Sequence, residues 1–370
     1  MRIYKFSGLG LIVLLSLLHW SCNQKNTSDV IKKSFETDLR NFMLEFKDSA
    51  IVPGVGFAFY SDTVGTVILT VGNADNENKI PLEITTHYPI QSTTKMFLAI
   101  VTLQLVNEGK ISLESTIDQW VDNVPNSGHI TIRHLLQHTS GLNNYQANRK
   151  FIEEYLSDTI KTYNRNDFIN VALAIPYKIE NFGSHNYANI NSLILANIIE
   201  KITHKTIGQE FNQHIFKPAK MSNTYYKPEI VKDTKKIVKC YNNKKPINLE
   251  KINFQSNAAG GIISTLGDMM KFAHWVLDNK YQIPMSSELV DNFTVDGKIF
   301  KYGLGLEEIS NEYGTTLMGH SGGNPGFTHE FYFSTETGEI IIFFFNEGNP
   351  GKYPFRVKLK TILQKYRYTE

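Results

Sequence analysis

Short runs rich in β-branched and aromatic residues lie near both ends of the chain and predict strands there. The N-terminal pair covers residues 55–60 and 66–71, and the C-terminal set covers 315–318, 327–334 and 339–345. Runs of this length, bounded by turn residues such as Gly, Ser and Asp, are typical of strands. Because these strands come from both ends of the chain, we predict that the two termini build one antiparallel sheet.

The rest of the chain carries helical patterns. An apolar run at helical spacing begins at Ser92, and residues 111–252 hold mostly helical patterns separated by polar loops. Residues 357–366 predict a final helix. The predicted fold class is therefore α/β, an antiparallel sheet flanked by helices with an inserted mostly helical lobe.

Length and composition agree with one large folded unit. The chain has 370 residues, of which 41% are hydrophobic, so it can bury a substantial core. Residues 35–110 and 255–370 form the predicted α/β lobe and residues 111–254 the helical lobe, with a site expected in the cleft between them. The net charge is only +2 and the charges are dispersed, so no nucleic-acid partner is expected.

The N-terminus has the pattern of a targeting segment. Two basic residues precede an apolar run at residues 9–18, which is too short for a comfortable membrane span. We predict a signal peptide over residues 1–22 that ends in a lipoprotein-type Cys22, followed by a tether over 23–34. An uncleaved anchor is the alternative, since His19 stands where an aliphatic residue is usual. The protein is then expected outside the cytoplasmic membrane, as a lipid-anchored protein of the cell envelope facing the periplasm or the cell exterior.

The remaining cysteine and two spaced histidines are the other candidates for chemistry. Lipidation of Cys22 would leave Cys240 as a lone thiol without an intrachain disulfide. His134 and His138 have the i, i+4 spacing of a zinc pair. They lack the glutamate of His-Glu-x-x-His, and no third ligand suggests itself, so neither a metal nor another cofactor is predicted.

Ser92 and Lys95 form a Ser-x-x-Lys motif at the start of the first apolar helix. This spacing places both side chains on one helix face, about 5–6 Å apart at Cβ. A serine hydroxyl becomes a strong nucleophile when a nearby base removes its proton, and a lysine serves as that base once burial lowers its pKa. The apolar run after Lys95 predicts such burial. The motif alone is also compatible with a chance spacing of two common residues.

Two stretches fit Tyr-x-Asn, and we favour Tyr187–x–Asn189. This stretch precedes an amphipathic helix pattern, whereas Tyr241 lies among Lys and Asn residues that predict a solvated loop. A phenol beside a lysine can pass a proton to a leaving group, and the asparagine can hydrogen-bond a substrate amide. A tyrosine and an asparagine that simply cap the helix are the alternative.

His320, Ser321 and Gly322 supply a third piece, which admits two interpretations. With the flanking glycines it spells Gly-x-Ser-x-Gly, the nucleophile elbow of α/β-hydrolases. That elbow needs a following helix and then an acid and a histidine downstream. A turn follows instead, and His329 is the only later histidine, with no acid between Ser321 and His329. We therefore predict a strand edge whose glycines let the backbone approach a substrate.

In this order the three motifs resemble those of the serine β-lactamase-related family, which includes class C β-lactamases, D-alanyl-D-alanine carboxypeptidases, D-aminopeptidases and esterases. The resemblance runs from about residue 35 to the C-terminus and implies the same α/β-plus-helical, β-lactamase/transpeptidase-like fold. Stretches without evident chemistry share the family's texture, namely residues 87–95, 130–142, 258–265 and 302–305. In the family the last stretch is a conformational segment upstream of the third motif.

The resemblance also implies residue roles. Ser92 is the acylated nucleophile, and Lys95 and Tyr187 form the proton-transfer network that activates it and later the attacking water. Asn189 contacts the substrate amide. The backbone N–H groups of Ser92 and Gly323 form the oxyanion hole, in which one donor contributes about 10²–10³ in rate.

The third motif departs from many family members in a way that bears on the substrate. His320, the catalytic-site residue of this motif, stands where many β-lactamases have lysine, and Ser321 where they usually have threonine. Ser321 and Gly322 are predicted substrate-binding residues. Since a histidine is largely neutral at pH 7, we expect a peptidase, amidase or esterase that acts on a small peptide, amide or ester. A dedicated β-lactamase and a penicillin-binding sensor without turnover are the alternatives, and the oligomeric state is left open.

Overall fold

A computed structural model describes residues 9–50, 52–156, 163–227, 237–247, 257–295, 298–310, 313–348 and 352–367. The strands are β1 (Gly54–Tyr60), β2 (Val67–Asp75), β3 (Ile80–Pro81), β4 (Tyr88–Pro89), β5 (Tyr225–Tyr226), β6 (Cys240–Asn242), β7 (Lys245–Ile247), β8 (Ile262–Ser264), β9 (Val290–Val295), β10 (Lys298–Tyr302), β11 (Glu307–Ile309), β12 (Leu317–Asn324), β13 (Phe327–Phe333) and β14 (Ile340–Phe345). The helices are α1 (Leu9–Ala50), α2 (Thr94–Asn107), α3 (Ile132–Leu136), α4 (Arg149–Leu156), α5 (Arg165–Leu173), α6 (Asn189–Thr203), α7 (Ile207–Phe211), α8 (Leu266–Asp278), α9 (Gln282–Ser286) and α10 (Lys352–Arg367).

The main sheet is built from both ends of the chain. Its strand order is β3-β2-β1-β14-β13-β12-β11-β10-β9, and every neighbouring pair is antiparallel. At its centre the N-terminal strand β1 pairs with the C-terminal strand β14, with Val55 opposite Phe345. The predicted α/β architecture, one antiparallel sheet flanked by helices, is confirmed.

Helices cover both faces of this sheet. Phe331 and Phe344 belong to the cluster on the face that carries α2 and α8, whereas Tyr332 and Phe343 belong to the cluster beneath α1 and α10. Successive strand residues point to opposite faces, so a strand covered on both sides needs apolar residues at every position. This explains the uninterrupted sequence IIIFFF of β14.

A ladder of aromatic rings fixes α2 over the sheet. Phe97 of α2 stacks on Phe272 of α8 with ring centroids 4.0 Å apart. Phe272 in turn lies 5.4 Å from Phe331 of β13, centroid to centroid. Aromatic pairs at these separations add to the stabilisation that area burial provides. These contacts therefore help to fix the position of the turn that precedes α2 relative to β12 and β13.

The structure corrects several details of the sequence prediction. Tyr241, expected on a solvated loop, lies in β6 and is buried. Its backbone N–H donates to the carbonyls of Gly326 (3.2 Å) and Asn346 (3.1 Å), and these contacts hold β6 against the end of the main sheet. The region 111–254 holds β5, β6 and β7 in addition to its helices. The sequence analysis did not predict the part of α1 that packs on the sheet, and it did not predict the strands β9 to β11.

The structure describes the predicted tether and only part of the predicted leader. Residues 1–8 of the leader lie outside the described residues, and its remainder, together with residues 23–34, falls within α1. Along the described ranges, no helix has both the length and the apolar character that crossing a membrane requires.

Candidate active site

Ser92 lies in a tight 3-10 turn, Gln91–Thr93, directly before α2. Gln91 has a φ of 50°, in the left-handed region that a non-glycine residue adopts at an energetic cost. A hydrogen bond helps to hold the turn, since Thr93 Oγ1 donates to the carbonyl of His320 on β12 at 3.2 Å. The first and third sequence motifs are thus joined in space.

Gly322 contributes to this junction by having no side chain. A Cβ at Gly322 would lie 2.7 Å from the Ile90 carbonyl oxygen, 2.8 Å from Gln91 Cβ and 3.2 Å from the Ser92 nitrogen. The close approach of backbone predicted at this motif is therefore an approach of β12 to the turn that carries Ser92. The strand continues through Gly323 to Asn324, so the helix that a nucleophile elbow requires does not follow.

Lys95 is positioned to act on Ser92. Its Nζ donates to Ser92 Oγ at 3.1 Å and to the Ala259 carbonyl at 3.0 Å, and its side chain is 3% exposed. Burial lowers the pKa of Lys95 from 10.5 to about 7, against an opposing effect of the Glu307 carboxylate, which raises it. Desolvation disfavours the ammonium form, so a substantial neutral fraction exists near pH 7.

Tyr187 completes the group around Ser92. The Lys95 Nζ lies 4.8 Å from the centroid of its ring. The residue is partly exposed, but its hydroxyl oxygen is buried and makes no hydrogen bond of normal geometry within the described ranges. Burial raises the pKa of Tyr187, while the facing Ser92 side chain lowers it to a smaller extent. The phenol is therefore protonated at neutral pH and is a proton donor.

His320 is a buried, neutral imidazole. Its Nε2 lies 2.9 Å from the Tyr302 hydroxyl, and its Nδ1 contacts the Ser321 carbonyl and lies 3.5 Å from Glu307 Oε1. Burial lowers the pKa of His320, although the Glu307 carboxylate raises it in part. Because Nδ1 faces two acceptors, we assign the hydrogen to Nδ1, and Nε2 then accepts from Tyr302.

Glu307 of β11 is a site residue that sequence reasoning missed. It accepts hydrogen bonds from the Ser321 N–H at 2.9 Å, from Ser321 Oγ at 3.1 Å and from the Tyr332 hydroxyl at 2.6 Å. Burial raises the pKa of Glu307, but the positive charge of His320 when it is protonated, together with these hydrogen-bond donors, lowers it by more, so the net pKa is lowered. The available signal in the sequence is a glutamate two residues after the stretch 302–305, which was noted for its family texture.

The site opens into a cavity of about 170 Å³. Of the predicted residues, Ser92, Asn189 and Gly323 line it, and Asn189 Nδ2 donates to the Tyr145 hydroxyl at 3.4 Å. Ser92 and Gly323, the predicted oxyanion-hole pair, thus face one space. Ser321 and Gly322 do not line the cavity, because Ser321 is hydrogen-bonded to Glu307 and Gly322 packs against the turn that carries Ser92.

The two histidines at i, i+4 spacing, His134 and His138, are each engaged by neighbouring groups of the protein. His138 follows α3, is buried and packs against Tyr187 with the rings tilted and their centroids 4.4 Å apart, and its Nδ1 lies 2.9 Å from Asn191 Nδ2. His134 Nδ1 accepts from the Thr131 N–H at 3.0 Å in a helix-capping arrangement. Across the part of the chain that the structure describes, no group of three or more His, Cys, Asp or Glu side chains could hold a metal ion.

Comparisons with known proteins agree with this fold. The family model named Beta-lactamase matches residues 39–362. The chain therefore belongs to the beta-lactamase family, which places it among hydrolases.

Two curated relatives are similar to this chain over most of its length. The chain is 28% identical over 283 residues to the putative penicillin-binding protein PbpX of Bacillus subtilis, covering 76% of this chain and 67% of the relative. It is 27% identical over 326 residues to a D-aminopeptidase of Brucella anthropi, covering 82% of this chain and 58% of the relative. The chain thus spans about two thirds or less of the length of these curated relatives.

A solved structure supports the fold. The D-amino acid amidase from Ochrobactrum anthropi SV3 superposes with a TM-score of 0.76 at 24% identity, covering 89% of this chain and 99% of that one. At this identity the likeness concerns the fold.

Proposed function

We propose that this protein is a serine hydrolase that forms an acyl-enzyme on Ser92 and acts on a peptide, amide or ester. The observation that carries the proposal is the 3.1 Å contact between Lys95 Nζ and Ser92 Oγ, made by a lysine whose burial lowers its pKa to about 7. A general base works best when its pKa lies near the working pH. Activation of a serine by an adjacent base is the established route to such a nucleophile.

The proposed reaction has two steps. Neutral Lys95 takes the Ser92 proton as Ser92 Oγ attacks the substrate carbonyl, and the N–H groups of Ser92 and Gly323 stabilise the oxyanion. As the carbonyl re-forms, the bond to the leaving group breaks and that group receives a proton through Tyr187. A water molecule then attacks the acyl-enzyme, gives its proton to the same network and releases the acid product with Ser92 restored.

The neutral His320 favours this substrate class over a dedicated β-lactamase. Burial lowers the pKa of His320, so the position supplies no permanent cation for a substrate carboxylate. The similarity to a D-aminopeptidase and to the fold of a D-amino acid amidase supports an amide or peptide substrate. A β-lactamase and a penicillin-binding sensor that acylates without turnover remain the competing functions.

Covalent labelling of the full-length protein tests the proposal. A fluorescent fluorophosphonate and a fluorescent penicillin are each applied to the wild type and to the Ser92→Ala, Lys95→Ala and Ser321→Ala variants. We expect labelling to disappear in the first two variants and to persist in Ser321→Ala. Labelling that survives Ser92→Ala would refute the assignment of the nucleophile.

Turnover distinguishes an enzyme from a sensor. An enzyme releases product continuously from p-nitrophenyl acetate, whereas a sensor releases one equivalent per site in a burst. Nitrocefin hydrolysis at rates typical of β-lactamases would favour the β-lactamase alternative instead.

We further propose that the protein is exported and anchored by lipid at Cys22. The support is the sequence pattern of the leader, with its basic start, short apolar run and cysteine. Mass spectrometry of the mature N-terminus tests this. A lipid-modified Cys22 is expected, and an unmodified N-terminus at residue 22 or beyond would contradict the proposal.

A further inference from the structure

The stretch 130–142, which shares the family's texture without evident chemistry, contains a residue that contacts the Tyr187 segment on both sides. The backbone carbonyl of His138 accepts from the Asn186 N–H at 2.8 Å. The His138 side chain accepts through Nδ1 from the Ala188 N–H at 3.3 Å. Asn186 and Ala188 are the two chain neighbours of Tyr187. One residue therefore holds the backbone immediately before and immediately after the phenol that is proposed as the proton donor.

The His138 ring also packs against the Tyr187 ring, with the rings tilted and their centroids 4.4 Å apart. The centroid of the same phenol ring lies 4.8 Å from the Lys95 Nζ. His138 is only 2% exposed, so packing as well as hydrogen bonds holds its ring in place. A shift of the His138 ring would therefore move the phenol relative to the lysine and to Ser92.

The backbone conformation of His138 is unusual. Its φ of 56° lies in the left-handed region, which a non-glycine residue adopts only at an energetic cost. Glycine and asparagine tolerate this region better than other residues do. Such a conformation persists where surrounding contacts determine it, and the hydrogen bonds with Asn186 and Ala188 are contacts of this kind.

The hydrogen bonds of His138 fix its tautomer. Because Nδ1 accepts from the Ala188 N–H, the ring hydrogen lies on Nε2. Asn191 agrees with this assignment, since its Oδ1 accepts from Ser140 Oγ at 2.6 Å and leaves Nδ2 to donate to the His138 Nδ1 at 2.9 Å. Burial and, to a smaller extent, the charge of Lys95 lower the pKa of His138 well below its usual value, so the ring is neutral. A hydrogen on Nδ1 would oppose the Ala188 N–H and remove that anchor.

We infer that His138 is a positioning residue: as a neutral imidazole that accepts at Nδ1, it orients the Tyr187 phenol for proton transfer to the leaving group. The inference rests on the proposed function and gives a role to a residue outside the three motifs. His138 is not among the described residues that line the cavity, so it acts through Tyr187 and not on the substrate. It also explains the spacing of the two histidines, because His134 caps the start of α3 and His138 follows its end.

Two acetate esters separate a loss of proton donation from a general loss of activity. Phenyl acetate and p-nitrophenyl acetate form the same acetyl-enzyme, so the ratio of their kcat/KM values reports on the departure of the leaving group. The p-nitrophenolate ion leaves readily without a proton, whereas the leaving phenolate, whose conjugate acid has a pKa of about 10, gains much more from protonation. A change that only loosens the protein lowers both values together and leaves the ratio unchanged.

We expect Tyr187→Phe, which lacks the donor, to lower the ratio of phenyl to p-nitrophenyl acetate at least ~10-fold in the full-length protein. His138→Gly, which removes the side chain and suits the positive φ, should lower the ratio by a similar factor. In the double variant the ratio should fall no further than in Tyr187→Phe, because both changes remove the same function. His138→Asn is the matched control, and we expect its ratio within ~3-fold of wild type, because its Oδ1 can replace Nδ1 as the acceptor.

Asn191→Asp provides a second variant if His138→Gly does not fold. Its carboxylate draws the His138 hydrogen to Nδ1 and so removes the acceptor of the Ala188 N–H, and the ratio should again fall ~10-fold. An unchanged ratio in either variant, when Ser92 still labels with the fluorescent fluorophosphonate, would overturn the inference. An equal fall in His138→Asn and His138→Gly would overturn the acceptor role of Nδ1.

The same measurements distinguish this inference from the proposed function. If Tyr187→Phe lowers the ratio and the His138 and Asn191 variants do not, only the inference fails. If Tyr187→Phe leaves the ratio unchanged, the proton-donor role and the inference fail together. If the wild type does not label at Ser92, the proposed function itself fails.

Discussion

The titration of Lys95 makes a quantitative prediction for the pH dependence of catalysis. Its pKa of about 7 arises because burial disfavours the ammonium form. Only neutral Lys95 can accept the Ser92 proton, so kcat/KM should follow the neutral fraction. That fraction is about a tenth at pH ~6 and about nine tenths at pH ~8 for a base of pKa about 7. We expect kcat/KM to rise ~10-fold between these pH values and then to level off.

Hydrolysis of p-nitrophenyl acetate by the full-length protein measures this profile. Ser92→Ala, assayed at each pH, supplies the background of spontaneous ester hydrolysis. Lys95→Arg keeps a cation that does not lose its proton, and we expect kcat/KM to fall at least ~10²-fold in this variant, the usual contribution of a general base.

A lysine with an ordinary pKa would behave differently. If the pKa stayed near 10.5, as for an unperturbed side chain, kcat/KM would rise ~100-fold between pH ~6 and ~8 and would not level off. That result, or a profile that is flat across this range, would refute the role of burial in tuning Lys95.

Three further predictions concern the site and the scaffold. Gly322→Ala should abolish labelling of Ser92, since the new Cβ would lie 2.7 Å from a backbone oxygen. Gly323→Ala should still label, because the nearest atom to its new Cβ lies 3.4 Å away. Equal labelling of the two variants would contradict the packing argument. Glu307→Gln should move the midpoint of the kcat/KM profile to lower pH, because the carboxylate raises the pKa of the lysine base; a midpoint that stays or rises would count against it. Arg356→Met leaves a fully buried glutamate without its cation and should cost about 3–5 kcal/mol in urea unfolding, whereas Lys358→Met, from a half-exposed pair, should cost under ~1 kcal/mol; similar losses would show that burial does not decide the difference.

Local patterns explain which parts of the fold could be predicted. The strands β1, β2, β13 and β14 are short apolar runs between turns, and the helix after Ser92 is a continuous apolar run, so each is visible in its own sequence. Strands β9 to β11 are short and mixed in polarity, and their pairing depends on β12. Tyr241 was assigned wrongly because its polar neighbours suggested solvent, whereas contacts with distant backbone bury it.

The same distinction applies to the site. Ser92 and Lys95 are predictable because their spacing along one helix already brings them together. Glu307 is not, because it reaches Ser321 and His320 only through the register of β11 with β12, in which Glu307 lies opposite Gly319.

The histidine at position 320 fits the electrostatic needs of Lys95. A second buried cation at this place would oppose the charge on Lys95 and lower its pKa further. The pKa of His320 is lowered by its own burial and by Lys95, so it contributes no lasting positive charge. Glu307 meanwhile raises the pKa of both residues. The pKa of Lys95 is therefore set near 7 by two opposing effects, desolvation, which lowers it, and the Glu307 carboxylate, which raises it. The absence of a fixed cation at position 320 is consistent with a site that binds a neutral substrate.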